Sequence, residues 1–226
     1  TEDVLRCDHP LKGNWHREIF GNDNPIVLEL GCGKGEYTVA LAEKYADRNF
    51  IGMDIKGARL WKGAKYAEEH QLPNAAFLRT RIEFIESLFA TGEVAEIWIT
   101  FADPQEGKPK KRLTHPLFLT RYRNILKEDG IIHLKTDSRL LYFYTMEVAS
   151  ANSLEVITNC EDIYGSPRSV PEEITAIQTF YESHFLMQGI PITYMAFRID
   201  HQDDLVSPDW DQSPYIQSYK TITIMK

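Results

Sequence analysis

From about residue 25 to about residue 199, short apolar runs alternate with segments whose apolar positions recur every three or four residues. The runs are PIVLELG (25–31), NFIGMDI (49–55), AAFLRTR (75–81), AEIWITF (95–101), GIIHLKT (130–136), LEVITNC (154–160) and ITYMAFRI (192–199). Each has the length and apolar content of a buried strand, whereas EYTVALAEKYA and ARLWKGAKYAEEH between them carry helical spacing. Gly35 and Gly57 stand at the starts of those two helices, and Pro73-Asn74 leads into the third strand. Strand–helix alternation predicts βαβ units with right-handed crossovers, hence an α/β fold built on a mostly parallel sheet of about seven strands with helices on both faces. A further helix is expected over 171–189, which opens with a proline and two acids and closes at Gly189. Residues 1–24 and 200–226 read as an N-terminal arm and a C-terminal tail around a core of 25–199, with 1–226 forming one domain.

Composition changes this picture little. A chain of 226 residues, 43% hydrophobic and 26% charged, is long enough for a substantial core. The longest apolar runs fall short of a membrane span, and the opening TEDVLRCDHP has no secretory pattern, so a cytoplasmic protein without membrane partners is expected. Cys7, Cys32 and Cys160 are too few and too scattered for a disulfide framework or a metal cluster. His16, His115 and His184 lack partners at ligand spacing, and no metal is expected.

Charge is more informative in its distribution than in its total of −8. Residues 107–127 hold seven cations, Lys108, Lys110, Lys111, Arg112, Arg121, Arg123 and Lys127, and no acid. Such a run is often a solvated face, yet its segregation also fits contact with phosphates.

The first strand runs into Glu29-Leu30-Gly31-Cys32-Gly33-Lys34-Gly35-Glu36, a glycine turn at a helix start that brings bare backbone to a ligand. A dinucleotide fingerprint would place its third glycine at position 36, where Glu36 would repel a pyrophosphate. S-adenosyl-L-methionine has no phosphate and carries a sulfonium and an ammonium, which suits Glu29. Asp54 ends the second strand, placed to accept from two ribose hydroxyls. A glycine turn with no ligand, or with a nucleotide, is the alternative. Asp103-Pro104 closes the fourth strand at the sheet edge where open α/β folds bind ligands. A carboxylate beside a transferable methyl could stabilise a cationic product or take up a proton, although it could also merely cap a turn.

These residues fall in an order that resembles the bacterial tRNA (guanine-N7-)-methyltransferases over nearly the whole chain. The similar stretches are Gly13-x-Trp15 with Phe20-Gly21-Asn22-Asp23-Asn24-Pro25-Ile26, the glycine turn, Phe50-Ile51-Gly52-Met53-Asp54, Phe101-Ala102-Asp103-Pro104 with Lys110-Lys111-Arg112-Leu113-Thr114, His133-Leu134-Lys135-Thr136-Asp137, and Thr179-Phe180-Tyr181-Glu182. The resemblance implies a Rossmann-like class I methyltransferase that methylates N7 of the variable-loop guanosine at position 46 of tRNA, as a monomer or homodimer. It implies cofactor contacts from Glu29, Gly31, Gly33, Asp54 and Asp103, with Asp103 also catalytic. Substrate contacts are implied for Lys108, Lys111, Arg112, Asp137, Thr179, Tyr181 and Glu182. Three positions depart from the family pattern. Gln105 stands where tryptophan is usual, the basic loop is about two residues shorter, and Arg81 replaces an aspartate near the adenine.

Judged by pattern alone, Phe180, Tyr181, Trp61 and Trp98 read as packing residues, and Asp137 as a helix cap. Two other functions remain: a methyltransferase acting on an exocyclic amine or small molecule, and a non-catalytic RNA-binding subunit. Gln105 counts against the first, because amine-modifying enzymes place a second proline there.

Overall fold

The computed structural model describes residues 7–166, 170–210, 213 and 215. All seven expected strands are present: β1 (Ile26–Leu30), β2 (Asn49–Asp54), β3 (Ala75–Arg79), β4 (Val94–Thr100), β5 (Leu126–Thr136), β6 (Glu155–Cys160) and β7 (Thr193–Arg198). They form one sheet in the order β3-β2-β1-β4-β5-β7-β6. Every pairing from β3 to β5 is parallel, and β7 runs antiparallel between β5 and β6. The chain winds outward from β1 to β3, then returns to lay β4 on the other side of β1. That reversal leaves a crevice at the carboxyl ends of β1 and β4.

Strand parity divides the interior into two cores. Ile26, Leu28 and Leu30 of β1, Ile51 and Met53 of β2, and Ile97 and Ile99 of β4 face one side. They pack there with α3 (Ile85–Leu88), α4 (Pro116–Ile125) and α5 (Arg139–Ala151). Val27, Phe50 and Trp98 point to the opposite side, with α1 (Glu36–Lys44) and α6 (Glu172–Ala176). Glu29 and Thr100 share the parity of Val27 and Trp98, which sets both polar groups on this second face.

The helix α2 (Gly57–Glu69) packs on β3, and its Gly63 is a close-approach site. A Cβ there would stand 2.7 Å from the carbonyl oxygen of Lys34 and 2.7 Å from the Phe77 ring. Alanine gains about 1 kcal/mol over glycine in an open helix, but overpacking costs about 1–3 kcal/mol. Gly63→Ala is therefore expected to lower the melting temperature, by about 5 °C. A melting temperature equal to or above the parent's would show that the helix is not wedged against the glycine turn.

Two expectations, the single helix over 171–189 and a core position for Trp61, need correction. The helix expected over 171–189 is two helices, α6 and α7 (Phe180–Met187), separated at 177–179. The break follows from Thr179, which accepts from the Glu182 N–H while the Glu182 carboxylate accepts from the Thr179 N–H. The described part of the arm packs onto the sheet: Trp15 and Phe20 lie in the first core, and Trp15 stacks on Phe89 and donates its ring N–H to the Leu88 carbonyl. The described part of the tail is held as well, with Arg123 donating to the carbonyls of His201 and Asp203 and Asn152 bracketing Val206. Trp61 is 61% exposed rather than core, whereas Trp98 is buried as expected.

Candidate active site

A cleft of about 920 Å³ opens where β1, β2 and β4 end. Glu29, Gly31, Gly33, Asp54 and Asp103 all line it, as do Lys111, Asp137, Thr179 and Tyr181. Residues expected to act together from six separate stretches of sequence thus share one surface.

The glycine turn is held by backbone, with the N–H groups of Gly31 and Cys32 both donating to the Met53 carbonyl at 2.8 and 3.0 Å. Gly31 and Gly33 take left-handed φ of +74° and +58°, and no atom lies within 4 Å of where a Cβ would be. Open space therefore faces bare backbone. Asp54 accepts from Gly33 N–H (3.0 Å) through one oxygen and from Lys56 N–H (2.7 Å) through the other. Each oxygen keeps a lone pair for a vicinal diol. Glu36, the first residue of α1, accepts the Phe180 N–H at 2.9 Å, so a carboxylate and not a phosphate occupies that helix start. The cradle, its carboxylates and the absence of a phosphate seat fit S-adenosyl-L-methionine.

Glu29 is buried between two hydroxyls, accepting from Thr100 at 2.5 Å and from the hydroxyl and N–H of Thr38. Burial pushes its carboxyl up to about 7, against the opposing pull of these hydrogen bonds. The folded state then holds a proton that the unfolded chain releases near 4.5. That contribution to stability is complete below about 4.5 and is lost as pH rises through 7. Between pH 5 and pH 8 the parent protein is expected to lose up to about 3 kcal/mol relative to Glu29→Gln, read from urea unfolding. Parallel pH profiles for the two proteins would rule the buried proton out.

Asp103 is exposed at the mouth of the cleft, with one oxygen accepting the Gln105 N–H at 2.9 Å. Phe101 and Gln105, two residues to either side, both have left-handed φ, +48° and +49°. Such backbone costs about 1–3 kcal/mol at each non-glycine residue and persists only where the surroundings impose it. Arg112 is one source of that constraint. It is 1% exposed, donates to the carbonyls of Pro104 (2.9 Å) and Glu106 (3.4 Å), and lies over the Tyr144 ring.

The Arg112 guanidinium thus braces the loop after Asp103 from within and does not line the cleft. Glu182 also lies inside, fully buried, paired with Lys135 at 2.8 Å and bonded to the Tyr164 hydroxyl. Lys135 also donates to the carbonyls of Ile174 and Ile177, so this pair pins the α6–α7 junction to the sheet. Lys108 is exposed but does not line the cleft, where Lys110 stands with Lys111. Asp137 faces the cleft with its carboxyl raised by burial, and the cap of α5 is Ser138 instead. Phe180 and Tyr181, expected to pack, are exposed, and Lys34 sits 5.3 Å over the Phe180 ring. Among the described residues no group of acids, cysteines and histidines is arranged to hold a metal ion, and no helix is long and apolar enough to cross a membrane.

Residues 23–195 match a family model described as "Putative methyltransferase". The chain is 58% identical over 191 residues to a tRNA (guanine-N(7)-)-methyltransferase of Christiangramia forsetii, covering 84% of this chain and 85% of that protein. It is 49% identical over 213 residues to the protein of the same name from Porphyromonas gingivalis, covering 94% and 86%. Among solved structures, the 16S rRNA methyltransferase KamB superposes with a TM-score of 0.62 at 13% identity, covering 89% of this chain and 95% of that one. An antibiotic-related methyltransferase gives 0.57 at 16% identity, covering 80% and 89%. These two likenesses establish a shared fold.

Proposed function

The chain belongs to the tRNA (guanine-N7-)-methyltransferase family, and from that premise we propose that its cleft transfers a methyl group from S-adenosyl-L-methionine to N7 of the guanine at position 46 of tRNA. The observation that carries the reading is the meeting of Glu29, Asp54, Asp103 and the open glycine turn on one surface. S-adenosyl-L-methionine, when bound, supplies an electrophilic methyl on a cationic sulfur. The chain, in this reading, acts as one domain over 1–226 in the cytoplasm, as a monomer or homodimer.

Asp54 would hold the ribose diol, and the bare backbone of Gly31 and Gly33 would admit the donor closely. Once the proton that burial favours is released, Glu29 would add negative potential beneath the donor's cationic end. Guanine N7 has a free lone pair, so no base has to remove a proton from it, and the chain's work is positioning and electrostatics. Asp103 meets the positive charge that develops on the purine as N7 is alkylated. Its second oxygen is also available to an N–H of the base. Lys111, Asp137, Thr179 and Tyr181 stand on the same surface and would orient the RNA, with Lys110 beside Lys111.

The test is to incubate unmodified transcript tRNA with methyl-labelled donor and map the labelled nucleoside. The expected product is 7-methylguanosine at position 46. Label in an exocyclic amine, or none in RNA, overturns the reading.

A further inference from the structure

We propose that the flank of the cleft built by the N-terminal half of α2 and the end of β3 is a second RNA-contacting face, in addition to that of Lys110 and Lys111; this rests on the tRNA reading above. The cations around the cleft differ in how free they are to meet a ligand. Of the run 107–127, Arg112 is buried against the loop it braces and Arg123 is spent on the tail carbonyls. That run is a weaker phosphate surface than its composition suggests.

A second acid-free stretch, 55–67, carries Lys56, Arg59, Lys62 and Lys65. All four side chains are exposed, and Lys56 and Arg59 line the same cleft as Asp103. Arg79 joins them from β3, lying along Gly57, where a Cβ would be 3.1 Å from its chain. Among the described residues Lys56, Arg59, Lys62 and Arg79 form no ion pair, so their charge is not neutralised within the protein. Trp61 stands exposed among them with Lys65 5.2 Å over its ring. Exposed aromatic rings between unpaired cations are the chemistry of a face that meets nucleic acid backbone and unstacked bases.

In a chain of net charge −8, two acid-free cationic stretches both border one cleft, one following β2 and the other following β4, the two strands that flank β1. A methyl donor with a single carboxylate does not require four cations, whereas an RNA strand crossing the cleft presents a phosphate to each flank.

The experiment uses the full chain and Arg59→Gln/Lys62→Gln, with transcript tRNA binding followed by anisotropy between 50 and 200 mM salt (about the range over which phosphate contacts are resolved). S-adenosylhomocysteine affinity is measured by calorimetry, and thermal melting confirms folding. The double variant is expected to bind tRNA about tenfold more weakly, with the slope of log K against log salt reduced by about 1.5–2, and to keep its S-adenosylhomocysteine affinity and melting temperature. Parent-like tRNA affinity and slope overturn the proposal, as does an equal loss of S-adenosylhomocysteine binding, which would assign these cations to the donor. If the parent itself neither binds nor methylates tRNA, the functional reading fails first, and the two failures are distinct.

Discussion

Asp103→Ala is expected to lower turnover by at least about 100-fold while leaving S-adenosylhomocysteine affinity within a few-fold of the parent and the melting temperature unchanged. The magnitude is that of removing a group aimed at charge that exists only in the transition state. Three features make the effect separable from folding. Asp103 is exposed, its one partner among the described residues is the Gln105 N–H, and the strained loop is braced by Arg112. Asp103→Asn keeps the shape and the Gln105 hydrogen bond while removing the charge, so it should retain little more activity than alanine if electrostatics dominates. Parent-like turnover in the asparagine variant would reduce Asp103 to a turn-former, and the non-catalytic reading of the chain would gain.

The largest effect on stability should come from a residue that touches neither donor nor RNA. Lys135 and Glu182 are both completely buried at 2.8 Å, and burial holds the lysine below its ordinary range even against the pull of the carboxylate. Lys135→Met leaves the carbonyls of Ile174 and Ile177 without their donor and the Glu182 carboxylate without its counter-charge, held, among the described residues, only by the neutral Tyr164 hydroxyl and Thr179 N–H. Breaking a buried pair from one side costs about 3–5 kcal/mol, roughly 10 °C in melting temperature for a chain of this size. Lys135→Met/Glu182→Gln removes the charge from both sides and should recover a large part of that loss, because an uncompensated buried charge costs more than the pair contributes. A single variant as stable as the parent, or a double variant no better than the single, would show that the pair is not what fixes the α6–α7 junction. Since Thr179 and Tyr181 leave that junction for the cleft, the single variant should also weaken tRNA use more than donor binding.

The sheet and the glycine turn were legible in the sequence because buried strands leave a dense apolar signature and the positions after them are fixed by chain direction. Glu29, Asp54 and Asp103 each sit at or near the end of such a strand, so naming the strand located the acid. The burial of Arg112 and Glu182 was not legible, for a physical reason. A cation in a cationic run and an acid in a motif look the same whether they face solvent or core, and only the partners, here two loop carbonyls and Lys135, decide. Other misses had a signal. Thr179-x-x-Glu182 is a capping box, which marks a helix start and therefore a break in the helix expected over 171–189. Leu60, Gly63 and Ala67 form the buried stripe of α2, and Trp61 lies about 100° away from Leu60 around the helix, on its solvent side. Nothing in the spacing of Trp15 and Phe20 announced that the N-terminal stretch would complete the first core.

The chemistry of the cleft is tested most directly by replacing the acceptor atom. A tRNA carrying 7-deazaguanine at position 46 has carbon where N7 would be, and otherwise presents the same base edge and backbone. This tRNA is expected to bind as the ordinary transcript does and to accept no methyl group. Methyl incorporation at that base equal to the ordinary transcript's would mean that the nucleophile lies elsewhere on the purine, and would contradict the assignment of this cleft to N7.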